Sequence, residues 1–284
     1  MHWRSHVSGF AFSFVFIVSY FTNKFVLSVL KFTYPTLFQG WQTFVGAVLL
    51  FLSGKLGWVE MSRIPRTAAL SWLPGSFLFV GNIYAGSRAL SRIDIPFFFT
   101  LQNSSLVVSY IIARAVHREK TQRLKIISVC LLLLSAVNLP LCDPQFDHSG
   151  YVWALCHLFC VGTYRVFQVH KSTNLSVLLL GLAAHPTGDI TGALEFPSLQ
   201  SHTFHCGCCA SALLGFLLLL ATVRLKRGPS LEHFKAWVFV SKVTAVLLSP
   251  LVFNMDFNSA SLLCVIGSHV GEALLLYADR ESPP

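Results

Sequence analysis

The chain has 284 residues, of which 12% are charged and 54% apolar, with 25 Phe and a formal charge of +9. Soluble domains run about a quarter charged. The balance therefore excludes a disordered chain, which needs low hydrophobicity and high charge, and it argues against a pair of water-soluble domains. A mean hydropathy of +0.63 points instead to an all-α polytopic membrane protein.

A helix needs about 20 mostly apolar residues to cross a bilayer. Reading from charge to charge predicts ten such runs, at 7–30, 32–54, 67–87, 95–113, 126–141, 150–164, 174–187, 208–223, 236–253 and 257–278. Most are apolar all round, and no short alternating segments of the kind that build a barrel are present. The first run continues to Leu30 and lacks small residues after its apolar stretch, so it is expected to be a retained span rather than a cleaved signal. The whole of 1–284 reads as one transmembrane domain, with halves of about 1–142 and 143–284.

The basic residues sort by connection. Four alternate connections and the two termini hold 16 of the 21, among them Arg63, Arg118, Arg165 and Arg227, whereas the other side has only Lys31, Arg88 and Arg92. Basic residues collect on the cytosolic side of membrane proteins, so both termini are expected to be cytosolic. The charge then describes topology, and nucleic-acid binding is not expected: the basic run 114–125 contains no aromatic residue on which a base could stack.

Other clusters carry less. His202, His205, Cys206, Cys208 and Cys209 offer zinc-ligand types without zinc-knuckle spacing, so small-residue packing or a lumenal disulfide is the expected reading. No Gly-rich phosphate loop, nucleophile elbow or cofactor motif appears, and neither an enzyme nor a bound cofactor is expected. The polar residues at membrane depth are more informative, because ionisable groups there mark pathways or binding sites. Lys24, next to Asn23, lies near the far end of the first run. Lys242, next to Ser241, lies in the ninth. Without an evident carboxylate partner in the first nine runs, both lysines are candidates for binding an anionic solute. Glu272 in the tenth run is placed equally well to reach cytosolic water. Tyr84, Gln102 and Asn103 are further candidates, the two amides being available to a nucleobase or sugar.

Thr22-Asn23-Lys24 with Leu27, then Phe32-Thr33-Tyr34-Pro35 and a span with Gln39 and Gln42, resembles the opening of nucleotide-sugar transporters. The stretch Tyr84-Ala85-Gly86-Ser87-Arg88-Ala89-Leu90-Ser91-Arg92-Ile93-Asp94-Ile95-Pro96 resembles their junction between the third and fourth spans. Within that family the match is to the branch related to GDP-mannose transporters. The resemblance covers most of the chain and implies the drug/metabolite-transporter fold, two inverted five-helix halves rocking about a central site. It further implies an antiporter of the Golgi or endoplasmic reticulum membrane that exchanges a cytosolic nucleotide sugar for a nucleoside monophosphate. A homodimer is left open.

Where GDP-mannose transporters carry Gly-Ala-Leu-Asn-Lys, this chain has Val238-Phe239-Val240-Ser241-Lys242. The resemblance carries a phosphate contact to Lys242, but guanine recognition does not carry over. The expected substrate is therefore a UDP-sugar, UDP-N-acetylglucosamine first, ahead of GDP-mannose. The family's Tyr-Asn segment before the seventh span has no counterpart between Gln168 and Ser172, and the apolar run there is short. Two alternatives follow: a non-transporting scaffold or regulatory protein, or a transporter of another small organic anion.

Overall fold

A computed structural model describes residues 2–32, 34–57, 73–117, 122–168, 201–228 and 230–281. Among them the chain is wholly helical: α1 (His2–Lys24), α2 (Pro35–Lys55), α3 (Leu73–Leu90), α4 (Ile95–Asn103), α5 (Ser105–His117), α6 (Arg123–Cys142), α7 (His148–Gln168), α8 (His202–Lys226), α9 (Leu231–Val252) and α10 (Ser259–Glu281). Seven segments are long and apolar enough to cross a bilayer, with α4 and α5 counting as one, Ile95–Ala115. Helices α3 and α7 correspond to the third and sixth predicted spans and fall outside that set. The predicted seventh span lies outside the described residues.

The helices outrun several predicted boundaries. α6 starts at Arg123 and α8 runs from His202 to Lys226, because a helix continues through charged residues whose long side chains reach back to the interface. The His202–Cys209 patch is thereby the opening of a long helix. All eight cysteines are free thiols, so the packing alternative holds rather than the lumenal disulfide. The Cys208 carbonyl accepts a hydrogen bond from Trp41 Nε1 at 3.3 Å.

Apolar side chains cover the outside of the bundle as well as filling its core, and polar ones are buried among them. Phe14 is 68% exposed, Leu141 82% and Leu251 81%, whereas Lys24, Asn103, Ser128, Lys242, Ser268 and Glu272 are buried. Exposed Phe and Leu are stable only against lipid tails, and small and polar residues between helices are what such bundles use for close packing. The fold is that of a multi-pass membrane protein.

Two polar faces bound the bundle. On one, the His6 ring of α1 meets His233 of α9, and Asp279 of α10 pairs with Lys125 of α6 and Lys235 of α9, both at 3.1 Å. This face carries the start of α1 and the end of α10. On the other, Arg92 pairs with Asp147 at 3.0 Å, Tyr151 donates to Asp143 at 2.7 Å, and Gln145 donates to Asp256 at 2.7 Å. Between the faces, α1 packs on α8 and α9, α7 packs on α3, α4 and α5, and α6 packs on α10.

The α6–α10 contact positions part of the site. A Cβ on Gly271 would meet Leu132 Cγ at 3.0 Å and the Ser128 carbonyl at 3.2 Å. With hydrogen there, Ser128 Oγ donates to the Gly271 carbonyl at 2.9 Å and the two backbones close. The neighbouring Glu272 is thereby held inward.

Candidate functional site

The predicted fourth span is broken where it was expected to be continuous. α4 ends at Asn103 and α5 begins at Ser105, with one tight turn between them marked by the Ser104 amide on the Leu101 carbonyl at 3.1 Å. Neither Pro nor Gly causes the break. Three short polar residues, Asn103, Ser104 and Ser105, stand in a row here, and the first two direct their side chains to neighbouring helices. Irregular backbone at membrane depth is tolerated where it is buried in protein or lines a cavity. Ser268 Oγ donates to the Thr100 carbonyl near the break at 3.3 Å, and Ser104 Oγ reaches across to the Leu132 carbonyl of α6 at 3.3 Å.

Lys242 sits against this break. Its Nζ donates to Asn103 Oδ1 at 2.7 Å and to Glu272 Oε1 at 2.6 Å, forming an ion pair in which both partners are buried. Asn103 turns its amide nitrogen to Ser268 Oγ at 3.2 Å and His269 Nδ1 at 3.4 Å. Three helices, α4, α9 and α10, thus meet at one ammonium group. Sequence reading placed Lys242 in the membrane without a protein counter-ion, and that is corrected: Glu272, instead of reaching water, is the counter-ion. Two acceptors leave one ammonium proton without a partner among the described residues. Glu272 Oε2 and His269 Nε2 are likewise buried without hydrogen bonds.

A second polar chain adjoins the first. His157 of α7 donates from Nδ1 to the Asn82 carbonyl at 2.9 Å, since a carbonyl can only accept. Its Nε2 is then the acceptor for the Gln102 amide at 3.3 Å. This fixes the orientation of Gln102 and leaves its Oε1 buried and unpaired. Gly86 makes room: a Cβ there would stand 2.8 Å from two imidazole atoms. Tyr20 lies beside Gln102, and the Arg165 guanidinium is within electrostatic reach of Tyr20, His157, Lys242 and Glu272. Arg165 was counted with the cytosolic loops in the sequence; it is instead a partly buried residue of α7 facing the centre. Among the described residues the centre therefore has Lys242, with Arg165 in electrostatic reach, against one carboxylate, Glu272.

The remaining predicted residues lie elsewhere. Lys24 does not converge on Lys242: its Nζ donates to the Ile93 carbonyl at 2.8 Å and pairs with Asp94 at 3.6 Å on the face away from the start of α1. It too has a counter-ion, supplied by the connection between α3 and α4. Asn23 Oδ1 accepts from Gln42 and Ser211, a tie between α1, α2 and α8. Ser241 donates to the Trp237 carbonyl at 2.6 Å and accepts from Ser13 Oγ at 2.7 Å, fastening α9 to α1. Tyr84 packs edge-on against Trp153 at 5.1 Å with Arg88 over its ring.

Glu272, His269, His157, Arg165 and Tyr20 were missed as site residues. One signal was present for the first two. Ser261, Val265, Ser268, Gly271, Glu272 and Leu275 recur at helical spacing, so the buried face of α10 is a polar one with Glu272 on it.

A multi-pass bundle with charged residues buried between its helices has the build of a membrane transport protein. Comparison with known proteins places it further. The chain is 53% identical over 293 residues to a Xenopus laevis protein named UDP-N-acetylglucosamine transporter TMEM241 homolog, covering 99% of each. It is 47% identical over 295 residues to the Mus musculus UDP-N-acetylglucosamine transporter TMEM241, again covering 99% of each. One solved crystal structure superposes with a TM-score of 0.58 at 16% identity, over 97% of this chain and 99% of that one, which shows the fold alone. No protein-family model matches the chain. The chain belongs to the nucleotide-sugar transporters, in the group that contains these two relatives. It is a transport protein and not an enzyme.

Proposed function

We propose that the protein carries UDP-N-acetylglucosamine across the Golgi or endoplasmic reticulum membrane in exchange for a nucleoside monophosphate, with both chain ends cytosolic. The single observation that carries this reading is the charge imbalance at the centre, Lys242 and Arg165 against Glu272. A diphosphate brings negative charge that the site lacks, and a desolvated site of this kind attracts it more strongly than water would. Lys242 is the phosphate-binding cation, with Asn103 fixing its direction. Gln102, whose Oε1 lacks a partner, offers an acceptor to a base or sugar hydrogen.

The names of the two TMEM241 relatives support the uridine nucleotide. The basic residues on the face of the start of α1 and the end of α10, Lys125 and Lys235 among them, support the orientation. The packing of α1 on α8 and α9, answered by α7 on α3, α4 and α5, supports two inverted halves that rock about the centre. In that scheme the Lys24–Asp94 pair belongs to the closure on the lumenal side.

Purified protein reconstituted into vesicles preloaded with UMP tests the proposal. Labelled UDP-N-acetylglucosamine should enter saturably and faster than into empty vesicles, and GDP-mannose should compete poorly. A panel of nucleotide sugars with no UMP-stimulated uptake would refute it.

A further inference from the structure

We propose that Glu272 is the protein's own stand-in for the substrate phosphate, holding Lys242 in the empty carrier and giving it up when substrate binds. The inference deepens the reading of Lys242 as the phosphate-binding cation, and rests on it.

A buried ion pair of purely structural purpose normally has its remaining lone pairs satisfied, because desolvation makes each unmet one costly. Glu272 departs from this. Only Oε1 is bonded, to Lys242 at 2.6 Å, while Oε2 is buried with no hydrogen bond and 3.6 Å from His269 Nδ1. The carboxylate is thus held at one oxygen. Lys242 is similarly half-engaged, with Asn103 and Glu272 as its two acceptors.

The geometry gives each oxygen somewhere to go. A phosphate oxygen taking the position of Oε1 would keep Lys242 directed by Asn103, whose other end is fixed on Ser268 at 3.2 Å. The displaced carboxylate stays within the field of Arg165. The exchange breaks the Lys242–Glu272 contact, which joins α9 to α10, only when an anion is present to replace it. Occupancy of the site is thereby read out as a change in how two helices are tied together. Because substrate must first compete with a resident carboxylate, the wild-type protein binds more weakly than its bare lysine would.

The test is the KM and maximal rate of UMP-driven UDP-N-acetylglucosamine uptake in vesicles. Glu272→Gln removes the competing charge and keeps the shape. It should lower KM by about tenfold with the maximal rate retained within a few-fold, a change opposite to that of a damaged site. An unchanged or raised KM would overturn the proposal. Should Glu272→Gln not be recovered folded, Glu272→Asp, with the carboxylate drawn back from Lys242, decides in the same way: a KM below wild type supports competition and one at or above it overturns it. The double variant Lys242→Gln/Glu272→Gln removes one charge of each sign, so the net charge of the centre is unchanged, and should not transport. Wild-type uptake by the double variant would sink the phosphate reading of Lys242 itself, a result separate from the outcome of the single variants.

Discussion

Asn103 Oδ1 lies 2.7 Å from Lys242 Nζ, so the residue at which the fourth span breaks also aims the central cation. The amide does this with its nitrogen fixed on Ser268 of α10. A hydrogen bond to a charged group contributes about 1.5–3 kcal/mol. Asn103→Ala should therefore lower the transport efficiency, maximal rate over KM, by roughly tenfold or more. Wild-type efficiency in a correctly inserted Asn103→Ala protein would remove Asn103 from the site.

Gln102 should act on a different part of the substrate. Its amide is held by His157, and Oε1 faces inward without a partner. Gln102→Leu should raise KM for the nucleotide sugar, while inorganic phosphate inhibits the variant and wild type equally. Inhibition by phosphate that weakens in parallel would mean that Gln102 supports the phosphate end instead.

Gly86 allows the approach of α3 and α7 at His157. Adding a Cβ puts it 2.8 Å from imidazole Nδ1 and Cε1, and overpacking of this kind costs about 1–3 kcal/mol. Gly86→Ala should lower the melting temperature of the purified protein by several degrees. A melting temperature equal to wild type would show that the ring can shift to make room.

Lys24 and Asp94 should behave as a unit. Lys24→Ala and Asp94→Asn each remove the same contact at 3.6 Å, so the double variant should lose no more transport than the worse single one. Residues in one charge network couple by about 0.5–3 kcal/mol. Fully additive losses would separate the two residues.

On the same face, Asp147 gives a pH dependence of known sign. The Gly150 amide at 2.6 Å and then Arg92 hold its carboxyl below the usual aspartate range. A depressed folded pKa adds stability above the ordinary value of about 3.9 and loses it as the pH falls through the folded value. Asp147→Asn should lower stability near neutrality by about 1 kcal/mol at most, since the pair is exposed. The difference from wild type should close in strong acid. A difference that persists there would mean that Asp147 acts through packing.

The helical membrane-spanning character was legible because lipid imposes a one-dimensional signal, apolar runs of a fixed length. Lys242, Asn103 and Gln102 stood out for the same reason. What could not be read was pairing. Lys242 and Glu272 are on different helices, and a sequence does not say which helix faces present themselves to each other. Arg165 was hidden by the topology rule itself, which assigns every basic residue near a span end to a loop. The break after Asn103 lacked Pro or Gly; Asn103 and Ser104 bond across to other helices there, whereas serines elsewhere bond one turn back, as Ser53 does to Leu49 at 2.7 Å.

The central claim is that the nucleotide phosphate binds at Lys242, and the thermal melting of purified protein with UMP and UDP-N-acetylglucosamine tests it most directly. A ligand at a hundred times its Kd stabilises the folded state by about 2.7 kcal/mol, so wild type should melt several degrees higher in saturating nucleotide. The charge-neutral variant Lys242→Gln/Glu272→Gln should show no such rise. An equal rise in both proteins would contradict the account.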